Sequence, residues 1–195
     1  MISAEFEEAS RNFRLVSETK PFMVAVEAAI ELLVTRFTAG SKLLVFGNGG
    51  SAADAQHICG EFVGRFMTER CGLPAIALSA NQALLTGWAN DYSFDTVFAR
   101  QIEALGVSGD VAWGISTSGN SPNVVNALEA AHSRGMHTVG LTGQTGGAAG
   151  AFCDVLMAVP LSSTPRIQEV HLVTYHTICG FVEQRLFGPS SQKSK

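Results

Sequence analysis

The stretch from Leu43 to Arg65, LLVFGNGGSAADAQHICGEFVGR, decides how the whole chain is read. Leu43, Leu44, Val45 and Phe46 form a short apolar run of the kind buried on both faces of a sheet, and it stops at Gly47-Asn48-Gly49-Gly50-Ser51. Ala52, Ala55, Ile58, Cys59, Phe62 and Val63 then recur at helical spacing, so strand, glycine-rich turn and helix follow without a gap. Such a junction leaves backbone N–H groups free at the positive end of a helix dipole, where a phosphate is the natural occupant. An ordinary tight turn has the same local pattern, so the loop alone does not decide between the two.

The loop's residues narrow its ligand. A dinucleotide fold carries G-x-G-x-x-G and an acidic residue after the next strand; here the order is G-x-G-G-S and the next apolar run ends at Ala77-Leu78-Ser79. A nucleotide P-loop carries Lys directly before Ser or Thr at the helix start, and this loop contains none. What remains is a simpler phosphate cradle.

Upstream, residues 3–18 read as a polar helix with a thin apolar stripe at Phe6, Phe13, Leu15 and Val16, either a frayed lead-in or a contact with another subunit. A second helix starts at Thr19-Lys20-Pro21 and ends at Gly40. Downstream come a strand at 75–78, a short helix at 81–89, the polar turn Asn90-Asp91-Tyr92-Ser93 and a helix over 94–105. The strand at 111–115 runs into Ser116-Thr117-Ser118-Gly119-Asn120-Ser121, where Ser121 suits an N-cap and Pro122 the first helical position. This is a second strand, polar loop, helix unit, rich in hydroxyls that suit phosphate oxygens without a positive charge. Strands at 137–141 and 155–159 and a long helix over 164–187, capped by Gly188, complete the chain. Regular alternation of strands and helices predicts a five-stranded parallel sheet with helices on both faces and ligands at the carboxyl ends of the strands.

With 195 residues the chain is long enough for one well-buried α/β core, and no charge block or Pro/Ser-rich linker divides it. The reading is a single domain over 1–195, with N-terminal helices at 1–38 making oligomer contacts, an α/β core at 39–188 and a flexible tail at 189–195. The net charge of −4 and the lack of a Lys/Arg stripe argue against a nucleic-acid partner. Cys59, Cys71, Cys153 and Cys179 form no C-x-x-C pair and read as reduced thiols. The acidic start is unlike a signal peptide, and no apolar run is long enough to cross a membrane, so a cytoplasmic protein is expected.

His57 and Glu61, four residues apart, share one helix face, and the C-terminal helix offers Gln168, Glu169, His171 and His176 as further donors. A His-x-x-x-Glu pair is common by chance; its weight comes from the phosphate-type loop that begins its helix. Two His, one Glu and one Gln make a borderline donor set suited to zinc, with manganese, cobalt or nickel as alternatives.

Taken together, G-N-G-G-S-A-A-D-A-Q-H at 47–57, E-F at 61–62, N-D-Y at 90–92, S-T-S-G-N-S at 116–121 and R-I-Q-E-V-H at 166–171 resemble the bacterial phosphoheptose isomerases, members of the sugar isomerase (SIS) domain group. The resemblance covers nearly the whole chain and is weakest before residue 20. It implies an SIS-type doubly wound domain and interconversion of sedoheptulose 7-phosphate and D-glycero-D-manno-heptose 7-phosphate, towards the heptose of lipopolysaccharide core. It further implies one zinc per subunit, with other divalent metals able to serve, on His57, Glu61, Gln168 and His176, and a homotetramer. The substrate contacts it carries over are Asn48, Gly49, Gly50, Ser51, Asn90, Asp91, Ser116, Thr117, Ser118 and Ser121, with Glu61 and Gln168 also at the substrate. Two places depart from the family pattern: Pro165 stands where some members have Asp, and the stretch 80–89, including Trp88, has no counterpart to carry over.

Moving a carbonyl between C1 and C2 of a sugar requires taking a proton from the carbon beside it and returning it to the neighbouring carbon. Glu61 is the expected base and His176 its acid partner; His171 is read as structural, and His132 and His137 as incidental. Gln168 and His176 are eight residues apart, about 12 Å along a helix, which favours a site completed at a subunit interface. The rival readings are an SIS-fold protein that binds the bacterial replication initiator, whose known examples have lost part of the metal set, and an isomerase of another sugar phosphate.

Overall fold

The computed structural model describes residues 1–188; the tail expected at 189–195 lies outside the described residues. Five strands, β1 (Leu43–Gly47), β2 (Ala75–Ala77), β3 (Val111–Ser116), β4 (His137–Thr142) and β5 (Val155–Ala158), form one sheet in the order β2-β1-β3-β4-β5. Every pairing is parallel. β1 and β3 are buried along their whole length, as unbroken apolar strands covered on both faces must be.

Among the described residues, seven α-helices surround the sheet: α1 (Ile2–Glu18), α2 (Lys20–Thr38), α3 (Gly50–Val63), α4 (Gln82–Asp91), α5 (Val97–Leu105), α6 (Pro122–Ser133) and α7 (Thr164–Phe187). Phe37 of α2, Ile58 and Phe62 of α3 and Tyr175 and Ile178 of α7 pack on one face, against Leu43, Val45, Trp113 and Leu141. Phe98 and Ile102 of α5 with Val124 and Leu128 of α6 pack on the other, against Leu44, Phe46 and Ala112. Leu43 and Val45 part from Leu44 and Phe46 because successive strand side chains point to opposite faces. Pro165 sits in the first turn of α7, where no backbone N–H is needed.

The chain leaves β1 for β2 on one side and later adds β3 on the other. The carboxyl ends of β1 and β3 therefore flank a switch point, the crevice where open α/β sheets bind ligands. The register aligns Gly47 with Ile115, so both following loops begin at the same level.

Three local features differ from the sequence reading, the first being that Phe94–Thr96 forms a 3₁₀ turn, so the helix expected over 94–105 begins at Val97. Asn90 and Asp91 belong to the last turn of α4, which Asn81 starts by accepting from the Leu84 N–H at 3.1 Å. A 3₁₀ turn at Ala148–Phe152 occupies part of the link from β4 to β5.

Candidate active site

The two loops at the switch point are joined by side-chain amides. Asn48 Nδ2 donates to Asn123 Oδ1 at 2.8 Å, and Asn123 Nδ2 donates back to Asn48 Oδ1 at 2.9 Å. Asn48, expected as a substrate contact, thus first braces the crevice. On the second loop the Ser116 hydroxyl lies 3.0 Å from that of Ser121 and 3.5 Å from that of Ser118. Neither Gly49 nor Ser121 caps its helix with a side chain, so the expected Ser121 cap gives way to the Ser116 contact. The positive ends of α3 and α6 are left to face an external acceptor. Ser51 and Ser116 are buried at this edge, and the Thr117 carbonyl accepts from the Gly143 N–H at 3.0 Å.

Gln168 belongs to this region. A Cβ on Gly50 would lie 2.7 Å from Gln168 Nε2, so the bare glycine lets the first turns of α7 lie on the loop.

Further along α3 and α7 a second group converges. His57, Glu61 and His176 each offer one donor atom, all within 4.8 Å of one another. His57 Nε2 lies 3.0 Å from Glu61 Oε1 and 3.5 Å from His176 Nε2. Behind His57, the Tyr175 hydroxyl is 3.0 Å from Nδ1 and 3.4 Å from Asp54 Oδ1. One proton arrangement satisfies this chain: Tyr175 donates to Asp54 and accepts from Nδ1–H, leaving the Nε2 lone pair of His57 turned towards Glu61 and His176. Burial raises the Asp54 pKa, partly offset by the Tyr175 hydrogen bond and by His57. Burial likewise raises that of Tyr175, with Asp54 adding to it. Two imidazole nitrogens and a carboxylate oxygen turned inward fit a divalent cation of the zinc type, with a coordination position to spare.

The fourth expected ligand is elsewhere. His57 is seven residues beyond Gly50 on α3, about 10 Å along the helix, and Gln168 sits at the Gly50 end. Asn90 and Asp91 lie exposed at the end of α4, where Asn90 Nδ2 donates to Asp91 Oδ1 at 2.8 Å. Trp88 stacks on Tyr92 with centroids 4.2 Å apart and donates to the Thr96 hydroxyl at 2.9 Å, tying α4 to the following turn.

His171 is fully buried, with Nε2 3.2 Å from the Thr142 carbonyl oxygen, and burial pushes its pKa down to about 4. His137 lies near Arg36 and Asp154, and starts β4 at the opposite edge of the sheet.

Asn123, Tyr175 and Asp54 were not singled out from sequence. Asp54, His57 and Glu61 follow at one-turn steps, a spacing that could have flagged the first; nothing local distinguishes Asn123 from a helix-surface polar residue or Tyr175 from a core residue.

The SIS domain family model matches residues 6–143. A phosphoheptose isomerase of Synechocystis sp. is 56% identical over 167 residues, 86% of each chain. The structure of a phosphoheptose isomerase from Neisseria gonorrhoeae superposes with a TM-score of 0.85 at 44% identity, covering 94% of this chain and 97% of that one. One from Francisella tularensis gives 0.89 at 35% identity, covering 94% and 96%.

Proposed function

The chain belongs to the phosphoheptose isomerase family of SIS-domain proteins, and we propose that it interconverts sedoheptulose 7-phosphate and D-glycero-D-manno-heptose 7-phosphate in the cytoplasm, for lipopolysaccharide-core heptose. The observation that carries this reading is the convergence of His57, Glu61 and His176 on helices that begin or pass at a phosphate-type loop.

In this reading the loop amides of Gly49 and Gly50 and the hydroxyls of Ser51, Ser116, Ser118 and Ser121 bind the phosphate, and Thr117, Asn90 and Asp91 line the sugar. Asn48 and Asn123 keep the two loops at a fixed separation. His57, Glu61 and His176, with Gln168 supplied by a neighbouring subunit to complete the set, would hold zinc, which when bound would polarise the sugar carbonyl. Glu61 takes the proton from the carbon beside the carbonyl and delivers it to its neighbour; His176 serves the hydroxyl oxygens. Asp54 and Tyr175 hold His57 in the tautomer that keeps Nε2 free.

Distance supports a site shared between subunits. Glu61 is eleven residues beyond Gly50, about 16 Å along α3. A seven-carbon chain with C–C bonds of about 1.5 Å has a contour of about 9 Å, to which the phosphate ester and the Glu61 side chain add further reach. One substrate therefore reaches from the loop to the Glu61 of the same chain only when fully extended along α3, which favours completing the site from a neighbouring subunit. In such a homotetramer one subunit binds the phosphate and its neighbour transfers the proton, with residues 1–38 as contacts around the 39–188 core. Met23 and Val24 on α2 and Phe181 on α7 are exposed beside one apolar groove, the kind of surface such an assembly covers. Sedimentation checks this: a fully active monomer contradicts it.

Turnover of five- to seven-carbon ketose phosphates, with and without chelator, tests the function. The expected result is preference for the seven-carbon substrate and loss of turnover when metal is removed. Chelator-insensitive turnover, or preference for a shorter chain, contradicts it.

A further inference from the structure

The segment at 64–72, between α3 and β2, is held by a buried ion pair that the chemistry above leaves unused. Arg70 and Glu183 retain 2% and 3% side-chain exposure, with Nε 3.0 Å from Oε2. The same guanidinium donates to the carbonyls of Glu61 at 2.7 Å, Phe62 at 2.8 Å, Cys71 at 2.9 Å and Gly64 at 3.2 Å. Glu61 and Phe62 lie in the last turn of α3, whose carbonyls lack helical partners and whose dipole favours a cation. The Glu183 carboxylate accepts from the amides of Phe66 at 3.0 Å and of Met67 and Thr68 at 2.8 Å, and from the Thr68 hydroxyl at 2.8 Å. Burial alone would raise its pKa; these donors outweigh it and bring it down to about 2.

The ends of this network meet the two helices that carry the cluster. Through the Glu61 carbonyl it fixes the turn of α3 bearing Glu61. Through the Phe66 amide it fixes a ring that packs on the His176 imidazole, with centroids 5.6 Å and planes 34° apart. Gly180, one turn beyond His176 on α7, lets that ring approach, since a Cβ there would come within 3.3 Å of Phe66 Cε1.

We propose that Arg70 and Glu183 are positioning residues that set the spacing of Glu61 and His176 for a divalent metal, an inference that rests on reading the cluster as a metal centre. A pair serving stability alone would leave metal affinity untouched. The test measures zinc affinity of the full chain by competition with a chromogenic chelator, alongside kcat and KM for sedoheptulose 7-phosphate and the melting temperature. Arg70→Lys keeps the charge but loses the planar fork. Phe66→Leu removes the ring on His176, and Asp110→Asn breaks the Lys42 pair at the opposite edge of the sheet as a stability control. Zinc affinity is expected to fall about 10- to 100-fold in Arg70→Lys, the usual loss when a group supporting a metal ligand is removed. kcat falls with it while KM stays within about twofold, because the phosphate loops are remote. Phe66→Leu moves the same way by less, and Asp110→Asn melts lower with unchanged affinity. Unchanged affinity in Arg70→Lys overturns the proposal, as does unchanged affinity in Phe66→Leu should Arg70→Lys fail to fold. An equal loss in Asp110→Asn also overturns it. If the wild-type chain binds no zinc, the metal reading falls and the proposal with it; wild-type binding with unaffected variants sinks the proposal alone.

Discussion

The loops at the β1/β3 switch point and the His57–Glu61–His176 cluster differ in what holds them. At the loops, strand register sets the geometry: Gly47 and Ile115 are paired residues, and backbone N–H groups and short hydroxyl side chains follow within a few positions. At the cluster, long side chains from two helices meet 119 residues apart in sequence, held from behind by Tyr175 and Asp54 and at the ends by Arg70 and Glu183. A backbone-built site is fixed once the sheet forms, whereas a side-chain site depends on each supporting contact. The loops should therefore govern binding and the cluster turnover, and each change below asks whether that division holds.

The largest effect is expected at the cluster. Glu61→Gln keeps shape and one oxygen donor while removing the base, so kcat should fall by about 10²- to 10⁴-fold with KM little changed. A comparable rise in KM would erase the distinction between the regions. At the loops, Ser121→Ala removes one hydroxyl of the serine group; KM should rise by about tenfold and kcat stay near wild type, as for one hydrogen bond to a charged ligand. A kcat loss with unchanged KM would place Ser121 on the other side of the comparison.

How much of this was legible in the sequence follows the same line. The elements and sheet were readable because Leu43 to Phe46 and Val111 to Ile115 are unbroken apolar runs ending in glycine or serine, and strand ends translate directly into loop positions. The pairing of His57 with Glu61 was readable from helical spacing. What brings His176 to them was not, because the approach of α7 to α3 is set by packing among Ile58, Phe62, Ile178 and their neighbours. Gln168 shows the limit: family resemblance put it with the metal, while within this chain its amide lies against Gly50, a contact visible only once α7 is placed on the loop. Asn123 could not be told from a helix-surface polar residue until Asn48 faced it.

The smallest effect concerns the joint between the regions. His171 binds the Thr142 carbonyl on the sheet edge from α7, between Gln168 and His176. Its pKa is about 4 in the folded chain against an ordinary 6.5, so the unfolded chain binds the proton more tightly and stability falls as pH drops from 6.5 through 4. Urea unfolding at pH 7 and pH 4.5 should show an acid loss on the order of 2 to 3 kcal/mol that His171→Gln lacks. Equal acid loss in both proteins would assign the effect to other groups.

The most direct test of the central claim, that Glu61 moves the proton, is exchange of the substrate's C1 or C2 hydrogen with deuterated water in Glu61→Gln, measured with its metal content. Metal should be retained and exchange reduced by about 10²-fold or more. Exchange near the wild-type rate in metal-replete Glu61→Gln would contradict it and move the base to another residue.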